Sequence, residues 1–132
     1  MIITDNRVAK SKWFPIPNDP DDASIEVTVI SPGDGTKIDS KVQKLIASPT
    51  GSELVIDAAN AAQLRAMAAM TNWENVYLTP EDKAAKHCAP FTAINKEQAL
   101  NEDEALKGFV LECLGSLTQE YLVAKEDARK NL

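Results

Sequence analysis

The sequence is short of the side chains that most often perform chemistry. It has one histidine, His87, and two cysteines, Cys88 and Cys113, in 132 residues. A structural zinc site takes about four ligands, so these three residues, with Cys113 distant from the other two, predict no metal site. His87 and Cys88 are sequence neighbours, a placement that rarely aligns thiol with imidazole, and no third group is in place to orient them. No apolar run approaches the roughly 20 residues of a membrane span; the alanine-rich stretch 58–70 is too short and contains Gln63 and Arg65. Nor is there a polybasic stripe. The net charge is −6 and the basic residues are scattered, which repels phosphate backbones and anionic lipid alike. Neither nucleic acid nor a membrane is therefore expected as a partner. The opening M-I-I-T-D-N-R lacks the apolar core of a secretion signal. With only two cysteines, this predicts a reduced, cytosolic protein.

The remaining polar clusters read as structure. The acidic groups at 19–22 and 102–104 suit a turn and a helix start better than a pair of catalytic carboxylates. G-D-G at 33–35 lacks the Lys-Ser/Thr of a phosphate loop and reads as a turn. No catalytic residue and no cofactor site is expected, and the chain is read as non-enzymatic.

What is present has the size and composition of one globular domain, residues 1–132, with apolar residues at 44% and charged residues at 26%. W-F-P-I-P at 13–17 must be extended, because each proline fixes its dihedral and lacks an amide donor. S-I-E-V-T-V-I at 24–30 alternates Ile25, Val27 and Val29 with polar residues, the period of a half-buried strand. Residues 12–17 and 24–30 are expected to pair as a hairpin, with the proline-bearing strand at an edge. From residue 37 the period turns helical: Ile38, Val42, Leu45 and Ile46 fall on one face. Leu54 to Ile56 is a brief extended run, and Asp57 is placed to cap the helix that follows.

Residues 58–70 hold seven alanines and two methionines and predict a buried helix that neighbours approach closely. T-N-W-E-N-V interrupts it. Thr79 and Pro80 start a new helix, followed by Glu81 and Asp82 at its positive end. Pro90 makes 87–92 irregular. Capping-box spacings at Asn95/Gln98 and Asn101/Glu104 precede a last helix over about 103–125. Its stripe is Leu106, Phe109, Val110, Cys113, Leu114, Leu117 and Tyr121. The expected architecture is α+β and mostly α-helical: a short N-terminal β-hairpin arm (1–36), then a helical core (37–132) of four to five bundled helices.

With aromatics at only 5%, each has one of two uses: closing this chain's own core, or anchoring a partner. Trp73 is expected inside and Trp13 partly outside. Trp13 and Phe14, with Phe109, Leu117 and Tyr121 of the last stripe, are the candidate adhesive residues. Trp73, Val76, Pro90 and Phe91 are the candidate structural elbow.

The order of parts resembles the small tail assembly chaperones of long-tailed bacteriophages and their prophage relatives. In that family a W-x-x-V element commonly precedes P-F-(S/T)-x-x-N at a helix start. Trp73, Val76, Pro90, Phe91, Thr92 and Asn95 fit it. Family members often carry a glycine turn between the two; here T-P-E-D-K-A-A-K-H-C stands there and reads as a short helix. The resemblance implies a binding protein of the bacterial host cytoplasm. It would coat the helical tape-measure protein until tail tube subunits displace it, and it can self-associate. Many such chaperones are made in two lengths by a −1 ribosomal slip, and Arg129-Lys130-Asn131 can be encoded across the slippery string A-AAA-AAC. Two other readings stay open: a small acidic helical adaptor or regulator of a bacterium or prophage, and a structural tail or head-completion subunit.

Overall fold

The computed structural model describes residues 9–130, apart from the side chains of Lys44, Ile46 and Ser48. The N-terminal segment 1–8 and Asn131, the last residue of the slippage string, lie outside the described residues. Strands β1 (Ser11–Pro15) and β2 (Ser24–Thr28) form the expected antiparallel hairpin, with β1 at the edge. Trp13 pairs with Glu26 and Phe14 with Ile25, so successive side chains alternate between the two sheet faces. Phe14, Ile25 and Val27 face inward; Trp13 and Glu26 face outward.

The sheet has a third strand, which corrects the expected hairpin-plus-bundle. β5 (Met70–Glu74) pairs with β2 on the side away from β1. It is the polar T-N-W-E segment read above as a mere interruption. Met70 pairs with Val27 and Trp73 with Ile25, so Thr71 is an extra residue between them, a bulge. The bulge brings Met70 and Trp73, three apart in sequence, to the same buried face; they are 0% and 7% exposed. On the outer face the freed Thr71 hydroxyl joins a polar ladder, 2.9 Å from Thr28 Oγ1 and 3.1 Å from Glu26 Oε1, while Ser11 Oγ lies 2.7 Å from Thr28 Oγ1.

The hairpin is not an arm. Ile25 and Val27 sit in one core cluster with residues of the two main helices. Those helices are α2 (Ala58–Ala69) and α5 (Glu104–Lys130), which cover the inner face of the sheet. Asp57 caps α2 as expected, accepting from the Asn60 amide at 3.3 Å. Ala66 and Ala69 are fully buried, and their small side chains let α5 and α4 (Ala93–Glu102) pack closely on α2. In α5 the stripe supplies Val110, Cys113 and Leu117 to the core.

Two expectations between residues 31 and 56 are overturned. The P-G-D-G turn is helical: α1 (Pro32–Lys41) begins there, with Ser31 accepting from the Asp34 amide at 3.2 Å and Pro32 in the first turn. An N-cap serine followed by proline is a strong start, and it outweighs the low helix propensity of Gly33 and Gly35. The helix then stops at Lys41 rather than running to Ile46. Leu45 and Ile46 belong to β3 (Gln43–Ser48), which pairs antiparallel with β4 (Gly51–Ile56) through a turn at Pro49-Thr50. Gly51 takes φ +135°, open to glycine and strained for other residues. The second hairpin packs chiefly on itself. Leu45 faces Leu54 across the pair, and with Ile56 they form an exposed apolar face.

The last helix starts within a residue of the expected 103 and runs on to Lys130, but the caps near 92 and 103 are not the capping-box candidates. Thr92, not Asn95, caps α4, accepting from the Asn95 amide at 3.1 Å. Asp103 caps α5, accepting from the Leu106 amide at 2.9 Å. Both corners are rich in residues able to cap, so spacing alone did not select among them. The short helix α3 (Pro80–Ala84) starts as expected at Thr79, which accepts from the Asp82 amide at 3.0 Å. No helix among the described residues is long and apolar enough to cross a membrane.

Candidate partner-binding groove

The segment after β5 is built around Trp73. Its indole Nε1 donates to the Ala89 carbonyl at 2.9 Å, in a buried hydrogen bond. Its ring packs against Phe91 with centroids 5.0 Å apart. The Ala89 amide donates to the Val76 carbonyl at 2.6 Å. Asn95 Nδ2 donates to the Pro90 carbonyl at 2.9 Å. Trp73, Val76, Pro90, Phe91, Thr92 and Asn95 thus lie in one connected knot. It closes the loop carrying α3, whose Lys86 adopts φ 59°, the left-handed conformation that glycine takes most readily. Lys96 fastens the knot to α2. Its ammonium donates to the carbonyls of Met67 and Met70 at the helix C-terminus and lies 5.3 Å from the centre of the Phe91 ring. Positive charge is favoured at that helix end, while burial pushes the Lys96 pKa below the usual lysine value.

Beside the knot runs an open groove of about 1400 Å³, bounded by the β1–β2 turn, the 75–83 segment and the corner between α4 and α5. Phe14, Ile16, Val76, Ala99, Leu106 and Phe109 give it apolar walls. Its rim is acidic: Asp19, Asp21, Glu102, Asp103 and Glu112, with Lys83 as the one cation among the lining residues. Several of these carboxylates are held in place by the local fold. Asp19 Oδ2 accepts from the amides of Asp21 and Ala23 at 2.9 and 3.0 Å, which shapes the turn. Asp21 pairs with Lys83 at 2.9 Å, ties α3 to that turn, and pushes the Lys83 pKa up. Asp103 is the α5 cap described above.

The five candidate adhesive residues do not share one surface. Phe14 and Phe109 both line the groove. Trp13 lies on the outer face of the sheet and is 38% exposed. Leu117 is 4% exposed, a core residue. Tyr121 lines a separate pocket of about 420 Å³ with Lys10, Arg65 and Lys125; the Lys125 ammonium sits 5.6 Å from its ring centre. The acidic rim went unrecognised in the sequence as a site. Its residues come from two distant parts of the chain, the β1–β2 turn (Asp19, Asp21) and the α4–α5 corner with the following turns of α5 (Glu102, Asp103, Glu112), and each alone reads as ordinary turn or helix chemistry.

His87 and Cys88 are both exposed, and the hydrogen-bonding neighbour of the Cys88 thiol is the Tyr77 hydroxyl, whose pKa it pushes up. No group of three or more His, Cys, Asp or Glu among the described residues is placed to hold a metal ion. Cys113 is 7% exposed, and burial, followed by the nearby Glu112 carboxylate, pushes its thiol up from 9.0 to about 11. In the native protein Cys88 is therefore expected to react promptly with a disulfide reagent, and Cys113 only after unfolding. Because the folded pKa is the higher one, the folded state holds this proton longer than the unfolded state. That contribution to stability is complete below pH 9 and lost as pH rises to about 11. The alkaline fall in urea midpoint should be shallower in Cys113→Ala.

Comparison with family models, with curated proteins and with solved structures finds no match to this chain.

Proposed function

We propose that this chain is a non-enzymatic tail assembly chaperone of a long-tailed bacteriophage or prophage. It acts in the cytoplasm of the bacterial host and shields the tape-measure protein until tail tube subunits replace it. The observation that carries this reading is the pattern W-x-x-V and P-F-T-x-x-N, whose six residues lie in a single knot around Trp73. A pattern that is also one physical unit is better support than letters that happen to recur along a chain. The groove adds to it, since a chaperone of a long helix needs apolar surface that stays open in the free protein.

Deletion of the gene from an inducible phage or prophage tests the proposal. The expected result is heads without tails, restored by supplying the chain in trans, and purified virions that lack the chain. Normal tails after deletion would contradict it. A stoichiometric presence in finished virions would replace it with the structural-subunit reading. The proposal also expects a longer form of the protein, made by a slip at A-AAA-AAC; the codon AAG at Lys130 would remove that part.

A further inference from the structure

We propose that the acidic groove is the seat for a single helix of a partner chain, one whose apolar stripe is flanked by lysine and arginine. The groove rests on the chaperone reading only for the partner's identity, a helix of the tape-measure protein; the helix's chemistry follows from the groove itself. An α-helix 10–12 Å across rising 1.5 Å per residue fills roughly 140 Å³ per residue. The groove, about 1400 Å³ and open to solvent, has room for a short segment of such a helix. Phe14, Ile16, Leu106 and Phe109 are partly buried hydrophobics that pack on the core from one side and line the groove on the other. They offer a preformed apolar bed that needs little rearrangement. Leu78, 55% exposed, stands at its edge.

Charge selects the occupant. Five carboxylates and one lysine line the groove, and that lysine is already engaged by Asp21. The groove thus concentrates much of the net charge of −6. Rim charges of one sign chiefly attract an oppositely charged partner and reject a like-charged one. An acidic helix and nucleic acid are both repelled. A second copy of this chain is a poor occupant. Among the described residues, the basic end of α5 carries Lys125, Arg129 and Lys130, but they are interleaved with Glu126 and Asp127.

The test uses the full-length protein and a fluorescent synthetic peptide of leucine, alanine and lysine with one apolar stripe. A control peptide has glutamate at every lysine position. Anisotropy is read at low and at physiological ionic strength. The lysine peptide is expected to bind, more weakly as salt rises, and the glutamate peptide at least about tenfold more weakly. Glu102→Lys with Glu112→Lys, both at exposed positions, should lower affinity for the lysine peptide by about tenfold or more. Leu78→Ser should weaken it several-fold, and Leu122→Ser at the separate Tyr121 pocket should leave it unchanged. Absence of binding, equal binding of the two peptides, or undiminished binding by the double charge reversal would each overturn the proposal. So would self-association that the double reversal abolishes, because the groove would then belong to a second copy. Failure here, with the chain still co-purifying with the long tail protein, would remove the groove and leave the chaperone reading standing.

Discussion

Trp73→Ala should cost about 3–5 kcal/mol of stability, the range for truncating a buried aromatic side chain. The ring is 7% exposed, packs on Phe91, and provides the donor that satisfies the Ala89 carbonyl. Its removal leaves a cavity and an unpaired buried acceptor together. Against a total stability of about 5–15 kcal/mol for a domain, this takes the variant close to unfolding at physiological temperature. Trp73→Phe separates the two effects. A phenyl ring is kept while the donor and the five-membered ring are lost, so a smaller cost of about 1–3 kcal/mol is expected, chiefly that of an orphaned buried polar group. Urea titration followed by far-ultraviolet circular dichroism reads both. A loss below about 1 kcal/mol for Trp73→Ala would mean that the knot does not close the core.

The second large effect separates two residues that the sequence had placed in the same adhesive set. Leu117→Ala should destabilise by about 2–5 kcal/mol, because Leu117 is 4% exposed in the cluster with Val110 and Cys113. Trp13→Ala should change stability by no more than about 1 kcal/mol. Trp13 is on the outer sheet face beside Glu26, and substitutions at such exposed positions usually have small effects. A reversed order of the two effects would mean that the outward sheet face is covered in the folded protein.

The elements that could be read from the sequence are those whose residues agree at every level. β1 and β2 show alternation, β-branching and edge prolines together. α2 is alanine over most of its length, and α3 opens with Thr79, Pro80 and two acids. The α5 stripe marks the right helix, although periodicity identifies a covered face without saying what covers it. Leu117 is covered by this chain's own core, while Phe109 reaches the groove.

β5 was hidden by its bulge. Thr71 breaks the period of two between the two buried residues, so Met70 and Trp73 recur at a spacing of three. In a polar, five-residue segment that leaves no strand signal. The α1–β3 boundary was hidden for the opposite reason: Ile38, Val42, Leu45 and Ile46 happen to keep helical spacing across a change of structure. No local chemistry stops the helix at Lys41. What competes is pairing with Gly51–Ile56, a contact that lies elsewhere in the chain. The groove is non-local in the same sense, since its walls come from the β1–β2 turn, the segment after β5 and the α4–α5 corner.

If the proposed function holds, co-expression of the full-length chain with the tape-measure protein encoded beside it is the most direct trial of its action as a binding protein. Size-exclusion chromatography with light scattering would be applied to the purified mixture. A single complex is expected, keeping the tape-measure protein in solution and losing it when Glu102 and Glu112 are reversed to lysine. Separate elution of the two chains, with the tape-measure protein equally soluble alone, would contradict the account.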